Sequence, residues 1–171
     1  MKKSSRGFSL IELLIVVAII LIIAAIAIPN LLRSRIAANQ ASAVGSLRTL
    51  NTAEVTYATT YNTGYSSTLG DLGPASSGGS PVATAAGLVD EVLSGSAATG
   101  PTATTSAKSG YQFTYTPGGT DTSGKINTYN FIATPISVGT TGTNFYYTDQ
   151  SGVIRQNSTA VAGSSDSPLA G

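Results

Sequence analysis

Few side chains in this chain could do chemistry, and the one placed most unusually is Glu12. It is the single charge in an apolar run from Phe8 to Ile28, FSLIELLIVVAIILIIAAIAI. A carboxylate in such a run costs about 2.5–3.5 kcal/mol to insert into a bilayer, so Glu12 calls for a cationic partner. The other carboxylates point to less. Asp90 and Glu91 are adjacent, so on a helix they face different ways and read as a solvated face. Serine and threonine are abundant, but the chain has no histidine to activate them, and it has no cysteine. That removes His-dependent triads, thiol chemistry and most transition-metal sites. A metal site would have to be built from oxygen, which suits calcium. Its candidate ligands are Asp149 and Asp166, weighed against turn chemistry and a solvated tail. No catalytic residue and no other cofactor is expected, so the reading is not an enzyme.

The elements that must position Glu12 follow from what surrounds it. The 21-residue apolar run is long enough to cross a bilayer as a helix, which takes about 20 residues. In front of it stands MKKSSRG, whose Lys2, Lys3 and Arg6 form a short cationic head. By the positive-inside tendency this end stays cytoplasmic and the chain beyond Ile28 lies outside. A secretory signal would carry small residues at a cleavage site after the apolar run. Here Pro29, Asn30, Leu31, Leu32 and Arg33 follow it instead. The small residue well placed for processing is Gly7, ahead of the run. A cut between Gly7 and Phe8 would remove the cationic head and leave a free amine on Phe8, about one helical turn from Glu12.

Arg6-Gly7-Phe8-Ser9-Leu10-Ile11-Glu12-Leu13-Leu14-Ile15-Val16-Val17-Ala18-Ile19-Ile20, followed by Ala24-Ala25-Ile26-Ala27-Ile28-Pro29-Asn30, resembles the N-terminus of type IV pilins and type II secretion pseudopilins. The match is specific over residues 6–30, weaker to about residue 61, and one of general plan beyond. The resemblance implies a membrane-embedded peptidase that cuts after Gly7 and methylates the new amine of Phe8. It implies that Glu12 neutralises the Phe8 amine of a neighbouring copy as helices enter a filament core. It also implies an inner-membrane assembly platform and an ATPase as partners. One position departs from the pattern: Leu21 stands where many members carry a glycine, near which the helix often unwinds in filaments. Leucine is a far better helix former than glycine, whereas Pro29 removes a donor and favours a kink.

Composition sets the remaining bounds. The 171 residues carry a formal charge of +1, but without residues 1–7 the side chains count six basic against eight acidic. No cluster of Lys and Arg suggests a grip on nucleic acid. Without cysteine no disulfide can hold the C-terminal segment. From Pro29 to Tyr61 the residues Leu32, Ile36, Ala43, Leu47, Leu50, Tyr57 and Tyr61 form one helical stripe. A helix continuous from Phe8 to Tyr61 would have 54 residues and a length of about 80 Å. Residues 62–110 read as a connecting region of Gly-, Ser- and Thr-rich loops with a short helix around Leu88–Leu93 ending at Gly95.

After Gly110 the period changes to two. Tyr111, Phe113 and Tyr115 form one strand, Tyr129, Phe131 and Ala133 a second, and Phe145–Thr148 and Val153–Arg155 a hairpin around Asp149-Gln150-Ser151-Gly152. Tyr111, Phe113, Tyr115, Tyr129, Phe131, Phe145 and Tyr147 are expected to face the helix as sheet core. Tyr57, Tyr61 and Tyr65 are expected as a surface aromatic patch. Asn157-Ser158-Thr159 matches a glycosylation triplet, and residues 158–171 are expected to be a mobile tail.

The expected fold is therefore α+β, a lollipop of one long helix and a small antiparallel sheet. Its segments are a leader 1–7, a membrane or filament-core half 8–29, an amphipathic half 30–61 and a globular domain 62–171 with its sheet at 111–157. An exposed Leu/Ile/Val rod leaves a bilayer only if like rods shield it, at about 1.5–3 kcal/mol per buried side chain. The functional expectation is a homopolymer, in the membrane before assembly and in a surface pilus after it. The alternatives are a periplasmic pseudopilus and, from another class, a monomeric anchored binding module.

Overall fold

The structure, a computed structural model, describes residues 8–75 and 79–169. The chain falls into two compact units that divide after Arg35. Helix α1 (Leu10–Tyr61, 52 residues) begins in the first and ends in the second. It starts two residues later than the apolar pattern alone predicts, because Ser9 serves as its cap. In the second unit α1 buries Ala43, Leu47, Leu50 and Tyr57 of the stripe read from the sequence, together with Ala53, while Ile36 and Tyr61 are half-buried. Leu32, in the first unit, is exposed. On its exposed side Thr49, Thr52, Thr56 and Thr59 each donate a hydroxyl to a carbonyl one turn back. Such bonding lets threonine sit mid-helix without an unsatisfied donor.

A 3-10 turn at Gly70–Leu72 follows, then two single-turn helices, α2 (Glu91–Ser94) and α3 (Ser96–Thr99). α2 occupies only the second half of the expected short helix. Its N-cap is Asp90, whose carboxylate accepts from the Leu93 N–H at 2.9 Å, and it ends on Gly95 at φ +72°.

The sheet has five antiparallel strands in chain order: β1 (Thr105–Lys108), β2 (Tyr111–Pro117), β3 (Tyr129–Pro135), β4 (Phe145–Asp149) and β5 (Arg155–Asn157). The expected antiparallel sheet is present, with one strand more than the four read from the sequence, and its last strand starts at Arg155, two residues later than the expected Val153–Arg155. β1, TSAK, lies in a segment that reads as loop because it offers no large apolar residue. Its pairing is made by backbone: Thr105–Lys108 run against Thr114–Tyr111 across a two-residue turn. Both turn residues, Ser109 (φ 50°) and Gly110 (φ 75°), adopt the left-handed region that a tight hairpin requires.

The parity of β4 also differs from expectation. Phe131 pairs with Thr148 and Ala133 with Tyr146, so Tyr146 and Thr148 face the core while Phe145 and Tyr147 are only half-buried. The run FYYT is aromatic in both parities, and the register imposed by β3 decides between them.

Tyr111, Phe113 and Phe131 are fully buried beside Leu47, Leu50, Leu69, Leu72 and Leu93. Asn51 of α1 bridges two strands, accepting from the Tyr129 hydroxyl at 3.1 Å and donating to Thr148 Oγ1 at 2.8 Å. Both sheet edges are covered, as soluble sheets require. β1 lies against α2, where Lys108 Nζ meets Asp90 Oδ2 at 2.8 Å. β5 is paired by the segment after Asn157: Gln156 N–H donates to Ser167 O at 3.0 Å and Leu169 N–H to Ile154 O at 2.8 Å. The tail expected to be mobile is thus tied back onto the sheet as far as Leu169. Buried Ala162 and partly buried Leu169 supply apolar contacts that its small, polar composition hides.

Candidate assembly site at the N-terminal helix

Gly7, and with it half of the expected Gly7–Phe8 cleavage site, lies outside the described residues. Phe8 is 78% exposed and non-helical. Ser9 donates its backbone N–H to Glu12 Oε2 at 2.9 Å. Ser9-Leu10-Ile11-Glu12 is the pattern of a capping box, in which the acid three residues into the helix reaches back to the cap residue's amide. The serine-to-glutamate spacing is legible in the sequence, yet a reading of Glu12 by its charge alone misses this local role. The carboxylate also lies in the first turn of α1, at the positive end of the helix dipole. Among the described residues its second oxygen has no hydrogen-bond partner.

Behind Glu12 the helix is apolar all round. Every Leu, Ile, Val and Phe from Phe8 to Leu32 is exposed, from 46% at Val17 to 80% at Leu10. An 18-residue window here reaches a mean hydropathy of 3.3 with none of it buried, long and apolar enough to cross a membrane. A helix apolar on all sides has to be covered by lipid or by protein. Pro29 sits inside α1, which continues through it to Tyr61. The proline has no N–H to offer the Ala25 carbonyl. One turn later Ser34 Oγ donates to Asn30 O at 3.0 Å.

The other candidate residues do not converge. Asp149 accepts from the Ser151 N–H at 2.9 Å in the β4–β5 turn. Burial raises its pKa, but the hydrogen bonds from Ser151 outweigh this and hold the carboxyl below its usual range. Asp166 accepts from Asn157 Nδ2 at 2.9 Å and from the Gly163 N–H at 2.8 Å, at the other end of that hairpin. Both carboxylates are engaged by N–H donors and share no partner. Among the described residues no group of three or more acidic, histidine or cysteine side chains could hold a metal ion. The Asn157 amide nitrogen that a glycan would take is the one donated to Asp166.

The expected tyrosine patch is also divided. Tyr57 is buried and donates its hydroxyl to Ala83 O at 2.8 Å, with Tyr61 beside it at 4.9 Å between ring centroids. Tyr65 instead packs edge-on against Tyr129 at 4.6 Å. Asp90 and Glu91 are exposed, as a solvated face requires, and Asp90 is a helix cap as well.

Comparison with known proteins bears on the N-terminal segment. The prokaryotic N-terminal methylation motif matches residues 2–28. Over 53 residues, 31% of this chain and 24% of the relative, the sequence is 51% identical to the type IV major pilin protein PilA of Myxococcus xanthus. Over 37 residues, 22% of this chain and 28% of the relative, it is 62% identical to the type IV wide pilus major component PilA4 of Thermus thermophilus. The matches thus span about a quarter of the length of these curated relatives. No solved structure matches the chain. The chain carries the prokaryotic N-terminal methylation motif on an apolar helix, and over part of its length it is similar in sequence to type IV major pilins.

Proposed function

We propose that the chain is the structural subunit of a type IV pilus, polymerising through the first half of α1. The observation that carries this reading is the bare apolar helix with one acid in its first turn. Removal of residues 1–7 by a prepilin peptidase would leave a Phe8 amine, methylated by the same enzyme. In the membrane, lipid covers the helix; in the filament, neighbouring copies do. Glu12 keeps its bond to Ser9 and offers its free oxygen to the Phe8 amine of the next copy. It sets register, while burial of the aliphatic side chains supplies the driving force. The assembly platform and its ATPase would supply extraction from the inner membrane. Contacts of this head-to-tail kind do not close, and they give a helical polymer.

The periplasmic pseudopilus uses the same physics. Its calcium argument loses ground because Asp149 and Asp166 do not converge, and both similar relatives are named as pilus components. The test is Glu12→Ala in a host with the processing machinery. The expected outcome is a stable membrane protein that begins at Phe8 by mass spectrometry and gives few or no surface fibres by immuno-electron microscopy. Fibres in undiminished number from that variant would overturn the role given to Glu12, and a parent chain that is processed but gives no fibres would favour a monomeric anchored module.

A further inference from the structure

A second glutamate, Glu54, is fully buried on the sheet-facing side of α1. Its carboxyl grips one residue of the following loop twice: Ser66 N–H donates to Oε2 at 2.9 Å and Ser66 Oγ to Oε1 at 2.7 Å. Ser66 is itself fully buried, and its carbonyl accepts from the Tyr115 hydroxyl of β2 at 2.7 Å. Next along the loop Asp71, 4% exposed, accepts from the Ser67 and Thr68 amides at 3.1 and 3.0 Å and from Ser67 Oγ. The titratable groups facing Glu54 are Asp71 from the loop, Tyr57 from α1, Tyr115 from β2 and Tyr129 from β3. All are acids, and none of Glu54's hydrogen-bond partners is a cation. A buried carboxyl beside another one, without a counter-ion, is held more stably with a proton than without. Serine suits either state, because its hydroxyl can donate to a carboxylate or accept from a carboxylic acid.

We propose that Glu54 is a proton-operated latch: protonated, it fastens the Ser66–Leu72 segment to α1 and β2, and ionised, it loosens that segment while the sheet stays folded. Burial pushes the Glu54 pKa up, and the like charge of Asp71 adds to this against the pull of the Ser66 bonds. The sign follows from linkage. A carboxyl whose closed-state value is raised favours the closed state at pH below its open-state value. That advantage is lost as pH rises through the closed-state value, tenfold for each unit of separation.

The experiment is hydrogen exchange by NMR on the full chain in detergent micelles, with Glu54→Gln and Asp71→Asn beside the parent. In the parent, protection of the Ser66–Leu72 amides should fall about tenfold or more between roughly pH 4 and pH 8, while the Phe131 amide keeps its own. In Glu54→Gln the segment should show no such fall, and in Asp71→Asn a smaller one. An equal fall in Glu54→Gln would overturn the latch. Should that variant not fold, the carbon-13 titration of the Glu54 carboxyl in the parent decides. A midpoint above the ordinary carboxylate range sustains the proposal, and one at or below that range overturns it.

Discussion

Asp90 does three things at once: it caps α2, meets Lys108, and so pins the short helix against the edge of β1. Partial burial raises its pKa, but the Lys108 ammonium and the Leu93 amide outweigh that and hold it below the usual range. A carboxyl with a depressed value stabilises the fold above its unfolded-state pKa and loses that contribution as pH falls through the folded-state one. Asp90→Ala should therefore destabilise the domain by about 0.5–2 kcal/mol at neutral pH, mostly as a lost cap. The difference from the parent should shrink in acid, read from denaturant midpoints at each pH. Asp90 shows how a correct reading at this scale can be incomplete. The Asp-Glu pair reads as a charged surface and is one, but the cap is signalled separately, by an Asp three residues ahead of Leu93 in a turn that ends in glycine. Ser9 and Glu12 are open to the same reading, since their spacing is a capping signature.

Among the elements, α1 and the strands β2 and β3 are legible because their apolar residues repeat with the right period over many residues. β1 is not: in TSAK no side chain carries a period, and its place is fixed by the left-handed Ser109-Gly110 turn and by backbone pairing with β2. β4 is legible as a strand but not in its facing, since Phe145, Tyr146 and Tyr147 satisfy either parity. The two parities make opposite claims about mutants. Tyr146 is 3% exposed against Tyr111 and the core, so Tyr146→Ala should cost about 3–5 kcal/mol of unfolding free energy. Phe145→Ala should cost clearly less. Thermal or urea denaturation of the two variants side by side measures this, and a larger loss at Phe145 would contradict the pairing of β3 with β4.

For the whole molecule, the absence of cysteine poses the question of what closes the C-terminal end. Three short-range features answer it: the Asp166 carboxylate between Asn157 and Gly163, the pairing of residues 167–169 with β5, and the apolar contacts of Ala162 and Leu169. None is visible as a pattern, because small polar residues look alike whether paired or free. Removal of residues 158–171 should lower stability by about 2–3 kcal/mol, as apolar burial is lost and β5 becomes a bare edge. Calorimetry against the full chain would register this, and concentration-dependent association of the shortened form would mark the uncovered edge. The N-terminal apolar half is legible as a rod that needs cover, since its Leu, Ile and Val residues fall on every side of the helix.

The hydrogen bonds of the core also set how the domain responds to salt. Tyr57, Tyr111 and Tyr115 fasten the fold by donating hydroxyls to uncharged carbonyls of Ala83, Asn144 and Ser66. Among the described residues only Lys108 and Asp90 form an ion pair, and it is partly exposed. Dissolved electrolyte screens charges beyond a Debye length of about 10 Å at 0.1 M and leaves such neutral bonds almost untouched. The globular region should therefore melt within a few degrees of the same temperature at low salt and at about 0.1 M salt.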